Sequence, residues 1–341
     1  MNSLGGMERR KFLKVLGGAG CALGLGGFPG AAFGAAKEPY PARKITFIIG
    51  FPPGGGSDLG ARAIAQFSKK YLQEISSKPD KVGVVIKNDP RGSGMKAFND
   101  IYHAKPDGYT IAQGDDVLHT RSILGDLGFD PFQLTFIARI VSGTKVLVTG
   151  KRSNIFTWND VVKESKKSPV RIGCANFGTS NHVGIILLID TTKLPAKEIF
   201  FGGTANVNAA LIRGDIPLAL NNEDTVRELI NAKELRPILS FSEKSSFPDV
   251  QSVKDIGFPE LVEPIKLQRY IIAPPHLPAD IKKTMVEALK KTMADKEFLA
   301  WSANVGLGFD PVFGSELDSL VRRVQGFYQS KENILRTYLK A

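Results

Sequence analysis

The feature that most constrains the fold is an alternation between short apolar runs rich in β-branched residues and longer segments whose apolar residues have helical spacing. Ile45–Gly50 is the first run, and the segment from Ile64 to Leu72 follows it with the helical pattern. Parallel strands need long crossover connections, which are usually helices, so this order is typical of a mainly parallel sheet covered by helices. The sequence therefore predicts an α/β protein.

The same alternation starts again after Lys151, which indicates a second lobe of similar construction. Val170–Ala175 is predicted to be a strand of this lobe, and a helix follows from Asn181. Leu267–Ala273 then has the pattern of a strand that returns the chain to the first lobe. We predict that lobe 1 contains residues 37–142 and 265–341 and that lobe 2 contains residues 143–264, each with a mainly parallel sheet flanked by helices.

The N-terminal residues have the composition of an export signal. Basic residues within Arg9–Lys14 precede an uncharged, glycine-rich stretch, and small residues at 34–36 suit cleavage. Arg9–Lys14 also resembles a twin-arginine signal, which a receptor reads. We predict that residues 1–36 are removed and that the mature protein is periplasmic. A membrane anchor is one alternative, although Pro29 and the glycines make a poor spanning helix. Lipid attachment at Cys21 is another, although Gly18 stands where such sites usually carry an aliphatic residue.

Charge and cysteine content exclude several classes of protein. The formal net charge is +11, but basic and acidic residues are interspersed, so we expect no nucleic-acid partner. Cys174 alone remains after cleavage, so an internal disulfide is excluded. Metal-ligand spacing is missing from the four histidines of the sequence, which are His103, His119, His182 and His276. We predict neither a metal nor a cofactor.

The segment Phe51–Asp58, between the first strand and its helix, is the strongest candidate for a binding loop. Open α/β sheets bind ligands beyond the carboxyl ends of their strands, and glycines let backbone N–H groups approach an anion at a helix N-terminus. The candidate ligand-binding residues of this loop are Pro53, Gly54, Gly55, Gly56, Ser57 and Asp58. A nucleotide loop is one alternative, but the Gly-Lys-Ser/Thr pattern is missing. The other is a plain turn in which Ser57 caps the helix.

A second loop, Asn176–His182, follows the strand Val170–Ala175 in the other lobe. The hydroxyls of Thr179 and Ser180 and the free amides of the next helix suit a carboxylate. Neither loop contains Lys or Arg, so amides and hydroxyls rather than a basic side chain are predicted to hold the charge. Taken alone, Ser180 reads as an ordinary N-cap. A weaker third candidate is Gly202–Asn206, where Thr204 most simply caps the following helix.

Several segments resemble, in order, the Bug-type periplasmic receptors of tripartite tricarboxylate transporters. The resemblance runs from about Tyr40 to the C-terminus. The segments that carry it are Tyr40-Pro41 with Phe51–Asp58, Lys105–Thr110, Phe129–Pro131 with Phe136–Ala138, Phe247–Val250 and Ile272–Pro274. Because these segments occur in the family's order, together they indicate the family far more specifically than any one of them does.

The resemblance implies a two-lobed clamshell like that of periplasmic binding proteins. In such a clamshell Pro53–Asp58 of one lobe and Thr179, Ser180 and His182 of the other would grip a ligand carboxylate. The chain departs from the family pattern at Asn221, where an Asp is common, and before Gly203, where a Tyr-Lys pair is frequent. Asn176, Gly203, Thr204 and Asn221 complete the predicted site. A small organic carboxylate and the membrane components of a tripartite transporter are the implied partners.

Two other functions use the same residues. A sensor that reports the ligand to a signalling partner would need the same clamshell. An exported enzyme could use Cys174 with His182 as nucleophile and base, or Asp58 with His182 as an acid–base pair. Cys174 lies in an apolar strand pattern, where a buried inert thiol is expected, so we predict that the protein is not an enzyme.

Overall fold

The computed structural model describes residues 38–339 except 93 and 306. The predicted export signal, its cleavage site and the alternative of lipidation at Cys21 all lie outside the described residues. No helix in the described part of the chain is both long and apolar enough to cross a membrane.

The strands are short runs of Ile, Val, Leu and Phe, most of them buried on both faces. Those of the described chain are β1 (Ile45–Ile49), β2 (Val84–Asn88), β3 (Thr110–Asp115), β4 (Thr135–Gly143), β5 (Lys145–Gly150), β6 (Val170–Cys174), β7 (Ala196–Phe200), β8 (Leu218–Asn222), β9 (Leu235–Ser240), β10 (Leu267–Ala273) and β11 (Val312–Phe313). Continuous apolar runs of this kind are expected where helices cover both sides of a sheet.

The helices fill the connections between these strands. They are α1 (Gly56–Glu74), α2 (Met95–Tyr102), α3 (Val117–Leu124), α4 (Trp158–Ser165), α5 (Ser180–Thr192), α6 (Thr204–Arg213), α7 (Glu223–Asn231), α8 (Val262–Ile265), α9 (Ala279–Met293), α10 (Lys296–Val305), α11 (Gly314–Ser330) and α12 (Glu332–Leu339). The sequence also predicts one helix over residues 315–339, which the structure divides into α11 and α12.

The strands form two sheets, ordered β11-β4-β10-β3-β1-β2 and β7-β6-β8-β5-β9. The predicted two-lobed α/β class is confirmed, but the sheets are mixed rather than mainly parallel. β1 pairs in parallel with β2 and β3, and β6 with β7 and β8. The connecting strands β4, β5 and β10 run antiparallel to their neighbours. The sequence did not separate the two kinds because strands covered on both faces read as apolar runs in either direction.

Chain order divides the strands as the lobe prediction requires. The first sheet uses strands from 45–143 and 267–313, and the second uses strands from 145–240. Only Thr144 separates β4 from β5, so the chain passes directly from one sheet to the other at that residue. The exact lobe boundaries stay a prediction.

Alternate side chains of β1 reach cores on opposite faces of its sheet. Phe47 packs with Ile64 of α1 and Met285 of α9, whereas Ile48 packs with Phe98 of α2 on the other face. This alternation follows from the strand repeat of two residues. β1 therefore lies between two layers of helices. Its carboxyl end, with the glycine-rich loop, lies at the edge of the core.

Candidate ligand-binding site

A cleft of about 680 Å³ is lined by residues of both sheets and of the segments next to their strands. Its walls from the first sheet include Phe51, Ser57, Gln113, Asp115, Asp116, Arg121 and Arg269. Its walls from the second sheet include Asn176, Phe177, Thr179, Ser180, Asn181, Gly203, Thr204 and Asn222. The volume falls in the range of pockets that hold small molecules.

The helices α1, α5 and α6 begin at this cleft, as does α3, whose first residue Val117 also lines it. α1 starts at Gly56, α5 at Ser180 and α6 at Thr204, and residues of all three first turns line the cleft. The first N–H groups of a helix have no partner within the helix, and the helix dipole places partial positive charge there. Such ends around one cleft favour an anion.

The structure places the predicted site residues in three groups. Those that line the cleft are Ser57, Asn176, Thr179, Ser180, Gly203 and Thr204. Those that lie between the lining residues Phe51 and Ser57, in the turn before α1 and at its first position, are Pro53, Gly54, Gly55 and Gly56. Those that are buried away from it are Asp58, His182 and Asn221. The ligand contacts of all of them stay a prediction.

Asp58 holds the glycine-rich loop in shape. Its Oδ2 accepts hydrogen bonds from the Gly54 N–H and from Arg62 Nε, each at 2.9 Å, and its Oδ1 accepts one from Asn88 Nδ2 at 2.9 Å. The bond from Arg62 is the main reason that the pKa of this carboxyl falls to about 2. Both oxygens of Asp58 are thus engaged within the protein, where they hold the loop against α1 and β2.

His182 and Asn221 have similar supporting positions. His182 Nδ1 accepts the Gly178 N–H at 3.0 Å, and its ring packs against Phe177 with centroids 5.0 Å apart. Burial lowers the pKa of His182 to about 4, so the ring is neutral at physiological pH. Asn221 Nδ2 donates to Asn208 Oδ1 at 3.2 Å.

The cap alternatives of the sequence are wrong. Gly55 is the N-cap of α1 without a side-chain bond, so Ser57 does not cap it. Thr179 caps α5, where Ser180 is the first helical residue. Gly203 occupies the N-cap position of α6, so Thr204 does not. The hydroxyl expected to cap lies in each case inside the first turn of its helix.

The hydroxyls of the second loop are already engaged within the protein. Thr179 Oγ1 donates to the Asn176 carbonyl at 2.9 Å and accepts the His182 N–H at 3.4 Å. Ser180 Oγ donates to Asp116 Oδ2. In this arrangement the loop offers a ligand its backbone amides rather than these two hydroxyls.

A buried ion pair beneath Ser180 was missed by the sequence interpretation. Lys145 Nζ lies 3.7 Å from Asp116 Oδ2, and it donates to the Ser180 carbonyl at 2.9 Å and also to Ser180 Oγ. Burial lowers the pKa of Lys145, and Asp116 opposes that shift. A lysine that begins an otherwise apolar strand was the available signal, because a buried charge needs a partner.

Two arginines in the cleft were also missed. The loops do lack Lys and Arg, but β10 contributes Arg269 and α3 contributes Arg121, which pairs with Asp126. The expectation that no basic side chain reaches the ligand therefore does not follow from the two loops alone. Burial, reinforced by Asp116, raises the pKa of Asp115, the acidic residue of the same wall.

The residues of the enzyme alternatives are not arranged for catalysis. Cys174 is buried, and burial raises the pKa of its thiol. Its sulfur lies near the Thr179 hydroxyl at 3.7 Å rather than at a base, and His182 Nδ1 is occupied by Gly178. Among the described residues neither Cys174 nor Asp58 is hydrogen-bonded to His182.

The two sheets and the cleft with its helix N-termini define a two-lobed solute-binding protein. The chain belongs to the TctC family, described as the tripartite tricarboxylate transporter family receptor, whose sequence profile matches residues 69–336. The resemblance read from the sequence motifs is confirmed.

Individual relatives are more distant. The chain is 26% identical to Protein BugT of Bordetella pertussis over 241 residues, which is 68% of this chain and 72% of that protein. Its fold is similar to a ligand-free TctC solute-binding protein from Polaromonas, with a TM-score of 0.76, 21% identity and coverage of 88% of this chain and 100% of that one. It is also similar to R. palustris Rpa4515 with adipate, with a TM-score of 0.66, 20% identity and coverage of 89% and 99%.

Proposed function

We propose that the protein is an exported receptor that captures a small carboxylate in the cleft and delivers it to the membrane components of a tripartite tricarboxylate-type transporter. The convergence of the N-termini of α1, α5 and α6 carries the proposal. Membership of the receptor family supports the transport role, and the adipate of one structural relative supports the ligand class.

The cleft suits an anion on electrostatic grounds. The first-turn amides of the three helices and the Arg269 guanidinium present positive potential. The negative charge of Asp116 is opposed by Lys145, and burial favours the neutral form of Asp115. Water can bridge a carboxylate to amides that it does not reach directly.

The proposed location is the periplasm. The basic and glycine-rich residues 1–36 supply the export signal, and passage into the periplasm would bring the mature chain to its transporter. We infer that the cleft performs no chemistry, because its buried thiol and neutral histidine serve the shape of the second loop.

A thermal-shift screen of mono-, di- and tricarboxylates tests the proposal. A ligand that binds only the folded state stabilises it, by about 2.7 kcal/mol when present at 100 times its dissociation constant. At least one carboxylate should raise the melting temperature, and its neutral amide should not. Stabilisation by neutral or cationic compounds only would contradict the proposal.

A further inference from the structure

Arg269 is a charged residue of β10 that lines the cleft. It lies beside the first turn of α1, where a β-carbon added to Gly56 would be 3.7 Å from Nη2 and 4.0 Å from Nη1. The carboxylates of Asp115, Asp116 and Asp224 interact with it only at longer range. Within the part of the chain that the structure describes, the guanidinium forms neither a hydrogen bond nor an ion pair. A guanidinium keeps its charge even when buried, so it needs an anion.

Gln113 supplies a second unused donor at the same place. It lies on β3, is 3% exposed, and lines both the cleft and the narrow pocket between α1 and Arg269. Its Nε2 is buried and has no hydrogen-bond partner among the described residues. An unsatisfied buried donor destabilises a folded protein, which is tolerated where a ligand supplies the acceptor.

The start of α1 is the third group of donors. Gly56 and Ser57 are its first two residues, and both line the narrow pocket with Gln113 and Arg269. A guanidinium, a primary amide and helix N–H groups are the groups that bind a carboxylate most strongly, and the planar guanidinium can contact both of its oxygens.

We propose that Arg269, Gln113 and the first turn of α1 form a direct seat for one carboxylate of the ligand, with Arg269 as the residue that selects for its charge. The starts of α5 and α6, contributed by the other lobe, then receive the second end of the ligand. Because these also present unpaired amides, the class of ligand is a small dicarboxylate. This inference rests on the proposed function and names the ligand class and anchor of the same cleft.

Calorimetry with the straight-chain dicarboxylates from succinate to adipate tests the seat. The full chain is compared with Arg269→Gln, Arg269→Lys and Arg323→Gln. Arg323 is exposed on α11, so its variant changes the net charge equally without touching the cleft. Loss of a charge-assisted bidentate contact should weaken binding about 10- to 100-fold in Arg269→Gln. Arg269→Lys should lose less because it keeps the charge without the fork, and Arg323→Gln should stay within about twofold.

Gln113→Met tests the seat without removing a charge. It should raise the melting temperature of the ligand-free protein, because a buried unpaired donor disappears, and it should weaken dicarboxylate binding by about fivefold or more. A purely structural role for Gln113 predicts a lower melting temperature instead. This variant also keeps the test valid if Arg269→Gln does not fold.

The outcomes separate the seat from the proposed function. Binding of a dicarboxylate that is unchanged in both Arg269→Gln and Gln113→Met would overturn the seat while the function stands. Binding of monocarboxylates only would overturn the dicarboxylate class. Failure of the parent protein to bind any carboxylate would overturn the proposed function as well.

Discussion

At the scale of single residues, the cleft holds charges that the fold stabilises poorly. Asp115 is the clearest case, because burial and the neighbouring Asp116 both raise the pKa of its carboxyl. Groups with perturbed pKa values concentrate at functional sites, where stability is given up for binding. A ligand anchored on Arg269 would lie in the field of this carboxyl.

The stability of the protein should therefore depend on pH through Asp115. Its folded-state pKa lies above the value of about 3.9 of an unfolded chain, so the folded protein holds this proton more tightly. The ionised carboxyl destabilises the folded protein at neutral pH. This destabilisation is lost as the pH falls through the folded-state pKa and the carboxyl takes up its proton. We expect Asp115→Asn to melt at a higher temperature than the parent at pH 8, with the difference shrinking towards pH 4.

Asp318→Asn is the matched control, since Asp318 is an exposed carboxylate of α11. As a surface substitution away from the cleft, it should change the melting temperature little in the same measurements. A melting temperature of Asp115→Asn that follows the parent at every pH would contradict the assignment.

At the scale of elements, the loop between β1 and α1 is shaped by its glycines and by one carboxylate. Gly54 has φ +92°, a conformation that strains a residue with a side chain, and its N–H donates to Asp58. Gly55 has φ −80°, which any residue adopts. A β-carbon at either position would meet nothing within 4 Å, so the two differ in backbone conformation rather than in space.

Alanine at these two positions should therefore have unequal effects. Gly54→Ala should lower the free energy of unfolding by about 1–2 kcal/mol, because an L-residue is forced into a left-handed conformation. Gly55→Ala should be neutral or slightly stabilising, since alanine reduces the freedom of the unfolded chain. Denaturant unfolding of both variants measures the difference, and equal losses would show that the loop relaxes around the added methyl.

The sequence predicted the elements that have regular apolar patterns. β1 and β6 lie within a residue or two of their predicted bounds because their apolar runs are short and are followed closely by polar or glycine residues. β3 and β5 were not predicted as strands, since β3 ends in Gln113, Gly114 and Asp115 and β5 begins with Lys145. Of these residues, Gln113 and Asp115 line the cleft, and Lys145 lies beneath Ser180 of its wall.

Prediction of the site from the sequence is likewise limited to residues that form local patterns. Pro53–Asp58 and Asn176–His182 could be read because glycine and hydroxyl residues cluster locally after strands. Arg269 and Gln113 are far apart in the chain and meet only because β10 pairs with β3, where Ile271 lies opposite Gln113. Local patterns carry no information on such a meeting, which depends on the topology of the mixed sheet.

At the scale of the whole molecule, the connection between the lobes holds a buried charged contact. Lys145 follows Thr144 directly, and the Asp116 N–H donates to the carbonyl of Gln268, the second residue of β10, at 3.2 Å. The ion pair thus lies where the chain crosses between the sheets. The C-terminal helices contribute as well, because α12 packs on α3 and on α5.

These positions predict a rotation about the crossing segments when ligand binds. Residues near the crossing move least in a hinge motion, so the Asp116–Lys145 contact can persist while the starts of α1 and α5 approach each other across the ligand. A compact chain of about 300 residues has a radius of gyration of about 19 Å. Small-angle scattering of the mature protein should give a value that decreases towards this limit when a dicarboxylate of the screen is added. Arg269→Gln at the same ligand concentration serves as the control and should stay near the ligand-free value. An unchanged radius of gyration in the saturated parent would show that the cleft receives its ligand without closure.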